Sequence, residues 1–279
     1  MKNICWNVRG LGSPRAERRL RHLCKQYNPQ MVFLMETKLD RSAWRGSGGV
    51  RDLDEGYVLH GKLNSSFSKW HIDTIVKEEN VHEEWRFTGF YCSPYLKDKN
   101  LAWSMLKNLA QGYDYPWLVA GDFNEIMYSF EKRGGVPRDH RRMEAFRDTL
   151  EECQLLDVGY SGAWFTWERG NLPETNIRER LDRGVANDKW LSLFPRGSVQ
   201  HLAYSISDHY PILINTNTVI SLPGSRRFHF ESWWIFEDSL EGIIRDFWDS
   251  SSAPLVEKME NLQICLKKWA CAIKSKRGS

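Results

Sequence analysis

The stretch Trp117-Leu118-Val119-Ala120-Gly121-Asp122-Phe123-Asn124-Glu125 decides the fold expected for this chain of 279 residues. Its first half is a continuous apolar run after Pro116, which is typical of a strand buried on both faces. Asp122 and Asn124 stand two residues apart, so in an extended chain both side chains point to one side while Phe123 points into the core. A carboxylate and an amide at the end of a buried strand are costly to desolvate without partners.

Polar side chains also end four further apolar strands of the predicted fold. They are Asn7, Glu36, Asp182, and the adjacent pair Asp208 and His209. Each has a simpler explanation when taken alone. Asp182 could pair with Arg180 or Arg183, Glu36 could be a solvated strand terminus, and a lone histidine is more often structural than catalytic. Their joint occurrence at strand ends indicates one catalytic rim.

The oxygen-rich side chains at these strand ends are suited to phosphate chemistry. Hard oxygen ligands suit Mg²⁺, which takes few protein carboxylates and keeps several waters for a phosphate substrate. A histidine held by a carboxylate can polarise a phosphoryl oxygen or transfer a proton. An Asp–Asn pair can orient a water molecule and contact a phosphate oxygen. Together these residue types predict metal-assisted phosphodiester hydrolysis.

The composition is that of a soluble globular protein long enough for one large α/β domain and a tail. Charged residues make up 27% and hydrophobic residues 41%, and a net charge of +3 permits a polyanionic partner without arguing for one. The six cysteines form no Cys-x-x-Cys pair, which favours reduced thiols in an intracellular protein. The sequence contains neither a signal peptide nor an apolar run long enough to cross a membrane.

Strands and helices alternate along most of the chain, which predicts an α/β fold. Ser13 caps a helix with Pro14 at its first position, between strands at 3–8 and 31–35. A second helix is expected to begin at Asp98 and to bury Leu101, Met105 and Leu109. The other predicted elements are a hairpin of strands 71–77 and 85–91, a helix from near Asp139, short strands at 155–158, 164–167 and 178–185, a short helix capped by Asn187, and a final strand at 211–215.

Six motifs resemble those of the endonuclease/exonuclease/phosphatase superfamily and occur in the order found there. They are Cys5-Trp6-Asn7-Val8-Arg9-Gly10-Leu11, Met35-Glu36-Thr37-Lys38-Leu39, Thr88-Gly89-Phe90-Tyr91, Gly121-Asp122-Phe123-Asn124, Arg180-Leu181-Asp182-Arg183 and Ser207-Asp208-His209. Three segments are similar to those of one group in particular: Phe165-Thr166-Trp167, Arg180-Leu181-Asp182-Arg183 and Phe228-His229-Phe230-Glu231-Ser232-Trp233-Trp234. That group is the apurinic/apyrimidinic-type endonuclease domain of plant LINE (non-LTR) retrotransposon polyproteins.

The resemblance implies a four-layer α/β sandwich over residues 1–218, with two packed mixed sheets flanked by helices. Residues 219–279 would then be a linker and an amphipathic helical tail, whose last helix we expect to be exposed or loosely packed. In LINE polyproteins a reverse transcriptase follows this connector. The sequence has no Tyr-x-Asp-Asp polymerase motif, so that expected downstream domain is absent from it.

The resemblance also implies roles for individual residues. The implied catalytic residues are Tyr91, Asp122, Asn124, Asp182 and His209, the implied substrate-binding residues are Asn7, Thr166 and Ser207, and the implied metal-binding residues are Asn7, Glu36 and Asp208. The metal would be Mg²⁺, with Mn²⁺ as an alternative, and the substrate DNA. Asp122 and His209 are rival candidates for the general base.

Two departures from the superfamily pattern affect the expected fold and site. Arg9 stands where repair enzymes of the superfamily carry an acidic residue, and the retroelement group is similar to this chain there. Between Glu36 and His71 the family has a helix and two strands, but here Gly46-Ser47-Gly48-Gly49-Val50 follows Leu39 closely. One strand therefore looks deleted and another degraded. We expect residues 40–70 to be irregular with at most one short strand, and the sheet that carries Glu36 to be narrower than its partner.

Three functional hypotheses remain open from the sequence. The first is a Mg²⁺-dependent endonuclease domain that nicks DNA and acts in the nucleus. The second is a phosphoesterase for another substrate, such as a phosphoinositide or RNA. The third is a catalytically inactive retroelement remnant that persists as a nucleic-acid-binding or inert protein, which the deletion favours. Nicking of supercoiled plasmid with Mg²⁺ separates the first from the third.

Overall fold

The structure is a computed structural model that describes residues 1–38, 50–53, 57–60, 65–79, 81–112, 114–170, 172–202, 207–216, 234, 237–250 and 254–277. The helices are α1 (Pro14–Tyr27), α2 (Leu96–Ala110), α3 (His140–Glu152), α4 (Asp188–Leu193), α5 (Ser239–Ser250) and α6 (Leu255–Arg277). The strands are β1 (Lys2–Asn7), β2 (Met31–Met35), β3 (Val50–Leu53), β4 (Tyr57–His60), β5 (Ser65–Ser68), β6 (His71–Val76), β7 (Trp85–Tyr91), β8 (Trp117–Asp122), β9 (Lys132–Arg133), β10 (Leu156–Asp157), β11 (Ser161–Gly162), β12 (Trp167–Arg169), β13 (Ile177–Glu179), β14 (Asp182–Ala186), β15 (Ser198–His201) and β16 (Ile212–Asn215).

Two mixed sheets form the centre of the protein. The first sheet has the strand order β11-β15-β16-β1-β2-β4-β3, and the second has the order β10-β14-β8-β7-β6-β5. In the first sheet β1 is parallel to β2 and antiparallel to β16. In the second sheet β8 is parallel to β7 and antiparallel to β14. A small third sheet is formed by β12, β13 and β9.

Three apolar clusters show that these sheets and helices stack in four layers. One cluster lies between the sheets and includes Cys5 and Phe33 of the first sheet and Phe87 and Leu118 of the second. A second joins α1 to the outer face of the first sheet, and its members include Ile4, Trp6, Leu20, Leu23 and Leu34. A third joins α2 and α3 to the outer face of the second sheet, and its members include Trp103, Leu106, Val119, Phe146 and Val185. The predicted α/β sandwich is therefore confirmed.

The strand β8 is the buried strand that the sequence predicts, and all six of its residues are buried. Its antiparallel partner β14 places Asp182 opposite Asp122, and its parallel partner β7 places Tyr91 beside Asp122. Gly121 has a φ angle of 146°, and a Cβ atom there would lie 2.0 Å from the carbonyl oxygen of Phe90. Only glycine allows this close approach of two backbones, so the strand end is held firmly in place.

The first sheet is wider than the sequence predicts. Three short strands, β3, β4 and β5, lie within residues 40–70, where we expected at most one. Because β2 pairs with β4 and β4 with β3, the first sheet has seven strands among the described residues and the second has six. The prediction of a narrower first sheet is wrong, since pairing with β4 satisfies the backbone groups of β2 that a lost strand would leave unpaired. Residues 39–49 lie outside the described part of the chain.

The helix α2 differs from its prediction in start and in buried face. It begins at Leu96 rather than Asp98, and Leu101 is exposed. Its buried residues are Lys99, Ala102, Trp103 and Leu106. Periodicity alone could not predict this face, because the buried Lys99 is compensated by an ion pair with Glu125, 2.9 Å away.

Two strand assignments are also corrected. The predicted strand 178–185 is divided into β13 and β14, because its first part pairs with β12 and β9 in the third sheet and its second part pairs with β8 in the second sheet. The predicted strand 164–167 becomes β12, which begins at Trp167 and pairs with β13. The strand β15, which joins the first sheet beside β16, is not among the predicted strands.

The chain forms two compact units, Met1–Leu222 and Pro223–Ser279. In the second unit α5 and α6 share an apolar cluster whose buried members are Trp234, Leu240, Leu262, Leu266 and Ala270. The exposed final helix that the sequence predicts is corrected in part, because this cluster covers Leu262 and Leu266 while Leu255 and Met259 remain exposed. The predicted linker at 221–227 lies outside the described residues. Among the described helices, none combines the length and the apolar character that a membrane span requires.

Candidate active site

The imidazole of His209 lies between two carboxylates, at the end of β8 and the start of β14. Its Nδ1 atom is 2.9 Å from Asp182 Oδ2, and its Nε2 atom is 3.8 Å from Asp122 Oδ2. The indole Nε1 of Trp6 donates to the His209 carbonyl oxygen at 2.9 Å and so fixes the backbone. The structure therefore brings three of the predicted catalytic residues together and orients His209 by Asp182.

These three side chains are almost fully buried, so their charges interact with little screening by water. Burial is the largest cause that raises the pKa of Asp122 to about 7; the charge of His209 opposes the shift and that of Asp182 adds to it. Burial alone would lower the pKa of His209, but the carboxylates of Asp182 and Asp122 outweigh it and raise this pKa to about 9. At neutral pH the arrangement therefore holds a protonated imidazole beside a carboxyl group that can exchange a proton.

Asn124 holds Asp122 in place. Its Nδ2 atom donates to Asp122 Oδ2 at 2.9 Å and to the Cys92 carbonyl oxygen at 2.7 Å, and its backbone N–H donates to Asp122 Oδ1 at 2.9 Å. The buried Lys99 donates to the Asn124 carbonyl oxygen at 2.8 Å. Both amide hydrogens of Asn124 are thus used within the protein, so the residue is placed to orient Asp122 and not to contact a phosphate directly.

Asn7 joins Asp122 to Glu36. Its Nδ2 atom donates to Glu36 Oε1 at 2.9 Å and to Asp122 Oδ2 at 3.1 Å. Its Oδ1 atom accepts a hydrogen bond from the Arg9 backbone N–H at 3.2 Å. Asn7 is therefore placed to orient the two carboxylates, and the structure gives it no free side-chain donor for a substrate.

Glu36 is the accessible carboxylate of the site, with 22% of its side chain exposed. The hydroxyl of Tyr91 donates to Glu36 Oε1 at 3.0 Å. Burial, followed by the charge of Glu36, raises the pKa of Tyr91, so this hydroxyl stays a neutral donor. Tyr91 thus holds Glu36 from one side while Asn7 holds it from the other.

Asp208 is the second accessible carboxylate. Its Oδ2 atom accepts hydrogen bonds from Trp167 Nε1 at 2.9 Å and from Arg9. Its Oδ1 atom is buried and accepts no hydrogen bond in the part of the chain that the structure describes. A buried carboxylate oxygen with no donor is unusual and suits a cation or a bound water. Glu36 and Asp208 therefore fit a hard divalent cation by chemistry and by this unused oxygen.

The cluster of Asp122, Asp182 and His209 also has the composition of a cation site, because one ligand atom of each lies within 4.8 Å of the others. The imidazole argues against metal binding there. Its Nδ1 is bonded to Asp182, and two carboxylates favour its protonated form, which has no lone pair to offer a metal. The oxygen atoms of Glu36 and Asp208 are the better ligands for Mg²⁺.

Ser207 and Thr166 support the site from within. The Ser207 hydroxyl donates to the Asn7 carbonyl oxygen at 2.7 Å and accepts from the His209 N–H at 3.1 Å. The Thr166 hydroxyl accepts from the N–H groups of Leu181 and Asp182, each at 2.9 Å, and the residue is fully buried. The Thr166 hydroxyl is thus placed to position Asp182, and the predicted contact of Thr166 with substrate stays a prediction.

Strained backbone is concentrated at this site. Arg9, Glu36 and Asn124 have φ angles of 46°, 52° and 50°, a left-handed conformation that costs non-glycine residues about 1–3 kcal/mol each. Such strain persists where surrounding contacts over-determine it, as the hydrogen bonds to all three residues do here. Sequence reasoning missed the part played by Arg9, although an arginine after the predicted strand end was a signal of it. It also missed Lys99, which does not lie on the predicted buried face of its helix.

The neighbouring arginines do not pair with Asp182. Arg180 and Arg183 instead form ion pairs with Glu131 and Asp157 at 2.9–3.1 Å. The simpler explanation of Asp182 as the partner of these arginines is therefore wrong. In β14 successive side chains point to opposite faces, so Asp182 and Arg183 enter different clusters.

A sequence model described as the endonuclease/exonuclease/phosphatase family matches residues 4–209. The chain belongs to this family. Its name covers enzymes that cleave phosphate esters, and the cluster of carboxylates and imidazole at the strand ends lies within the matched residues. No curated protein sequence matches the chain.

Solved structures of the endonuclease/exonuclease/phosphatase fold resemble this chain at low sequence identity. The endonuclease domain of TRAS1, a telomere-specific non-LTR retrotransposon, is 14% identical with a TM-score of 0.54 over 77% of this chain and 97% of that domain. The 3′ phosphatase NExo from Neisseria, bound to a product DNA hairpin, is 16% identical with a TM-score of 0.57 over 77% and 98%. The AP endonuclease LMAP from Leishmania major is 16% identical with a TM-score of 0.58 over 76% and 86%. At these identities the likeness establishes the fold alone.

Proposed function

We propose that this chain is a divalent-cation-dependent endonuclease that nicks DNA by hydrolysing a phosphodiester. The observation that carries the proposal is the position of His209, 2.9 Å from Asp182 and 3.8 Å from Asp122, within one hydrogen-bonded network that reaches Glu36 through Asn7. A purely structural histidine has no need of two buried carboxylates, whose desolvation is costly.

His209 and Asp122 divide the acid–base work in this proposal. With Nδ1 bonded to Asp182, the protonated ring directs its Nε2–H towards the space beside Asp122, where it stabilises negative charge that develops on a phosphoryl oxygen. Asp122 accepts the proton of the attacking water, for which a pKa near neutrality is suited. The geometry favours Asp122 as the general base over His209.

Glu36 and Asp208 are the residues that would hold the metal. Mg²⁺ fits their hard oxygen atoms, with Mn²⁺ as an alternative, and when bound it supplies Lewis-acid stabilisation to a phosphate oxygen. Asn7 and Tyr91 fix the rotamer of Glu36 by hydrogen bonds at 2.9 and 3.0 Å. Asn124 does the same for Asp122.

DNA is the substrate we propose, and a non-LTR retrotransposon the origin of the chain. Support comes from the segments at residues 165–167, 180–183 and 228–234, which resemble those of plant LINE endonucleases, and from the fold shared with the TRAS1 endonuclease domain. The Neisseria phosphatase of the same fold is bound to a DNA hairpin. A protein of this function would act in the nucleus, and a reverse transcriptase would follow it in the parent polyprotein.

Conversion of supercoiled plasmid to open circles tests this proposal. We expect nicking with Mg²⁺, none in excess EDTA, and a loss of about 100-fold or more in Glu36→Gln, whereas Glu17→Gln on the exposed face of α1 should behave as wild type. Nicking that persists in EDTA would exclude the proposed mechanism. A folded protein that releases phosphate from small esters but leaves plasmid intact would be the alternative phosphoesterase, and one that does neither would be the inactive remnant.

A further inference from the structure

Arg9 lies in a tight turn directly after β1. Its φ angle is 46°, and the following Gly10 has a φ angle of 121°. The Arg9 N–H donates to Asn7 Oδ1 at 3.2 Å, which ties the turn to the side chain at the strand end. The turn directs the Arg9 side chain to the two accessible carboxylates of the site, Glu36 and Asp208.

The guanidinium of Arg9 bridges these two carboxylates. Its Nη1 atom makes a short hydrogen bond to Asp208 Oδ2, and its Nε atom lies 3.6 Å from Glu36 Oε2. In the described part of the chain these are the ion pairs that Glu36 and Asp208 form. Arg9 therefore occupies the place where the negative charge of the proposed metal site is concentrated.

A divalent cation and this guanidinium would compete for the same two carboxylates. Like charges a few ångströms apart repel strongly near a protein surface. The Arg9 side chain is 48% exposed, so it is free to turn outwards. A guanidinium presents a planar fork of donors that matches the oxygen atoms of a phosphate.

We infer that Arg9 is an exchangeable counter-ion: it neutralises Glu36 and Asp208 in the metal-free protein, and it turns to the substrate phosphate when a divalent cation takes these carboxylates. The inference rests on the proposed function, because it takes Glu36 and Asp208 as the metal ligands. It adds a phosphate-binding residue that itself lowers the affinity for metal. Metal affinity and substrate affinity should therefore change in opposite directions when Arg9 is replaced.

Calorimetric titration of the full chain with Mg²⁺ tests the first half of the inference. Arg9→Gln should bind Mg²⁺ on the order of tenfold more tightly than wild type, because the competing charge is removed. Arg21→Gln is the matched control, since Arg21 is an exposed arginine of α1 paired only with Glu17 among the described residues, and it should match wild type. Equal or weaker binding in Arg9→Gln would overturn the inference.

Thermal melts provide a second test of metal binding, which also applies if Arg9→Gln is less stable than wild type. In EDTA, Arg9→Gln should melt lower than wild type, because Glu36 and Asp208 then repel each other without a counter-ion. Saturating Mg²⁺ should raise its melting temperature by more than it raises that of wild type. Arg9→Lys keeps the charge and should stay close to wild type in both conditions. An equal Mg²⁺-induced shift in Arg9→Gln and wild type would contradict the exchange.

DNA binding tests the second half. In the His209→Gln background, where cleavage is suppressed, fluorescence anisotropy with a duplex oligonucleotide and Mg²⁺ should show about tenfold weaker binding when Arg9→Gln is added. Unchanged DNA affinity would remove the phosphate role. Mg²⁺ titration does not depend on turnover, so it separates the two proposals. A protein that binds Mg²⁺ as described but never nicks DNA would contradict the proposed function and would still support the counter-ion exchange. Absence of Mg²⁺ binding in both wild type and Arg9→Gln would overturn the exchange itself.

Discussion

Two buried ionic clusters flank β14, and the motif Arg180-Leu181-Asp182-Arg183 contributes side chains to both. In the first, Arg180 and Arg183 each contact Glu131 and Asp157, so two guanidinium groups face two carboxylates. In the second, Asp182 and Asp122 face the single imidazole of His209. We call them the balanced cluster and the acidic cluster.

The pKa values of one carboxyl group in each cluster, Glu131 and Asp122, shift in opposite directions. In the balanced cluster burial alone would raise the pKa of Glu131, but Arg183 and Arg180 lower it. In the acidic cluster burial, with no full counter-charge, raises the pKa of Asp122 to about 7. Charge balance thus distinguishes the cluster that we expect to stabilise the fold from the cluster that we propose to act in catalysis. Burial and ion pairing look alike in both, so neither alone identifies an active site.

Two buried histidines repeat the contrast. His209 lies between carboxylates, which overcome burial and raise its pKa to about 9. His201 stacks on Tyr160 with ring centroids 4.3 Å apart, next to the balanced cluster. Burial, helped by the charge of Arg180, lowers the pKa of His201 to about 3. Of these two histidines, His209 is the one for which we propose a catalytic role.

The largest expected effect is a loss of nicking activity, which replacement of His209 should cause and replacement of His201 should not. His209→Gln should lower the nicking rate by about 100- to 10,000-fold, because the positioned imidazolium is lost. Its melting temperature should fall, because Asp182 and Asp122 lose the imidazolium that compensates their buried charge, so the rate is compared per folded molecule. His201→Gln is the matched control and should keep its rate per folded molecule. Equal rates in His209→Gln and wild type would remove His209 from the mechanism.

The next effect concerns stability in the balanced cluster. Arg183→Met leaves Glu131 and Asp157 with one buried cation between them, and breaking a buried ion pair on one side costs about 3–5 kcal/mol. Urea denaturation should show this loss in the free energy of unfolding. Arg178→Met, on the neighbouring β13, removes a partly exposed pair with Glu168 and should cost less than about 1 kcal/mol. Similar losses in the two variants would mean that the cluster is not a source of stability.

The third effect, which vanishes at neutral pH and grows as the pH falls, is a pH dependence of stability that comes from His201. Its folded pKa of about 3 lies below the ordinary value of 6.5, so between these values the unfolded chain binds a proton that the folded protein excludes. Stability therefore falls as the pH drops from about 6.5 towards 3, by at most about 1.4 kcal/mol per pH unit. His201→Gln should flatten this slope in denaturant titrations at several pH values. An unchanged slope would show that His201 titrates normally.

The sequence predicts most of the helices and strands, but fewer of the pairings between strands. Apolar runs that end in polar residues identify β1, β2 and β8. Antiparallel pairing of β14 with β8 then places Asp182 opposite Asp122, whereas packing of the two sheets brings Asn7 to Asp122. The number of strands after Glu36 could not be predicted, because residues 40–70 have no clear apolar pattern that would indicate β3 and β4. The order of the strands in each sheet follows from the resemblance to a known family and not from local sequence patterns, because strand pairing joins residues far apart in the sequence.

Partner choice is the part that sequence cannot resolve. Asp182 has arginines on either side, yet it pairs with His209 because alternation along β14 sends Arg183 to the opposite face. Thr166 and Asn124 look available for substrate in the sequence, but their hydrogen bonds are used within the protein. The buried Lys99 is unexpected in a helix face until its partner Glu125 is known.

The rate of DNA nicking per folded molecule in Asp122→Asn and Glu131→Gln tests the contrast between the two clusters most directly. Both changes convert a buried carboxylate to its isosteric amide, one in each cluster. We predict that Asp122→Asn loses about 100-fold or more in rate and melts no lower than wild type, whereas Glu131→Gln melts lower and keeps its rate below its melting temperature. Full activity in Asp122→Asn, or loss of rate in folded Glu131→Gln with an unchanged melting temperature, would contradict the account.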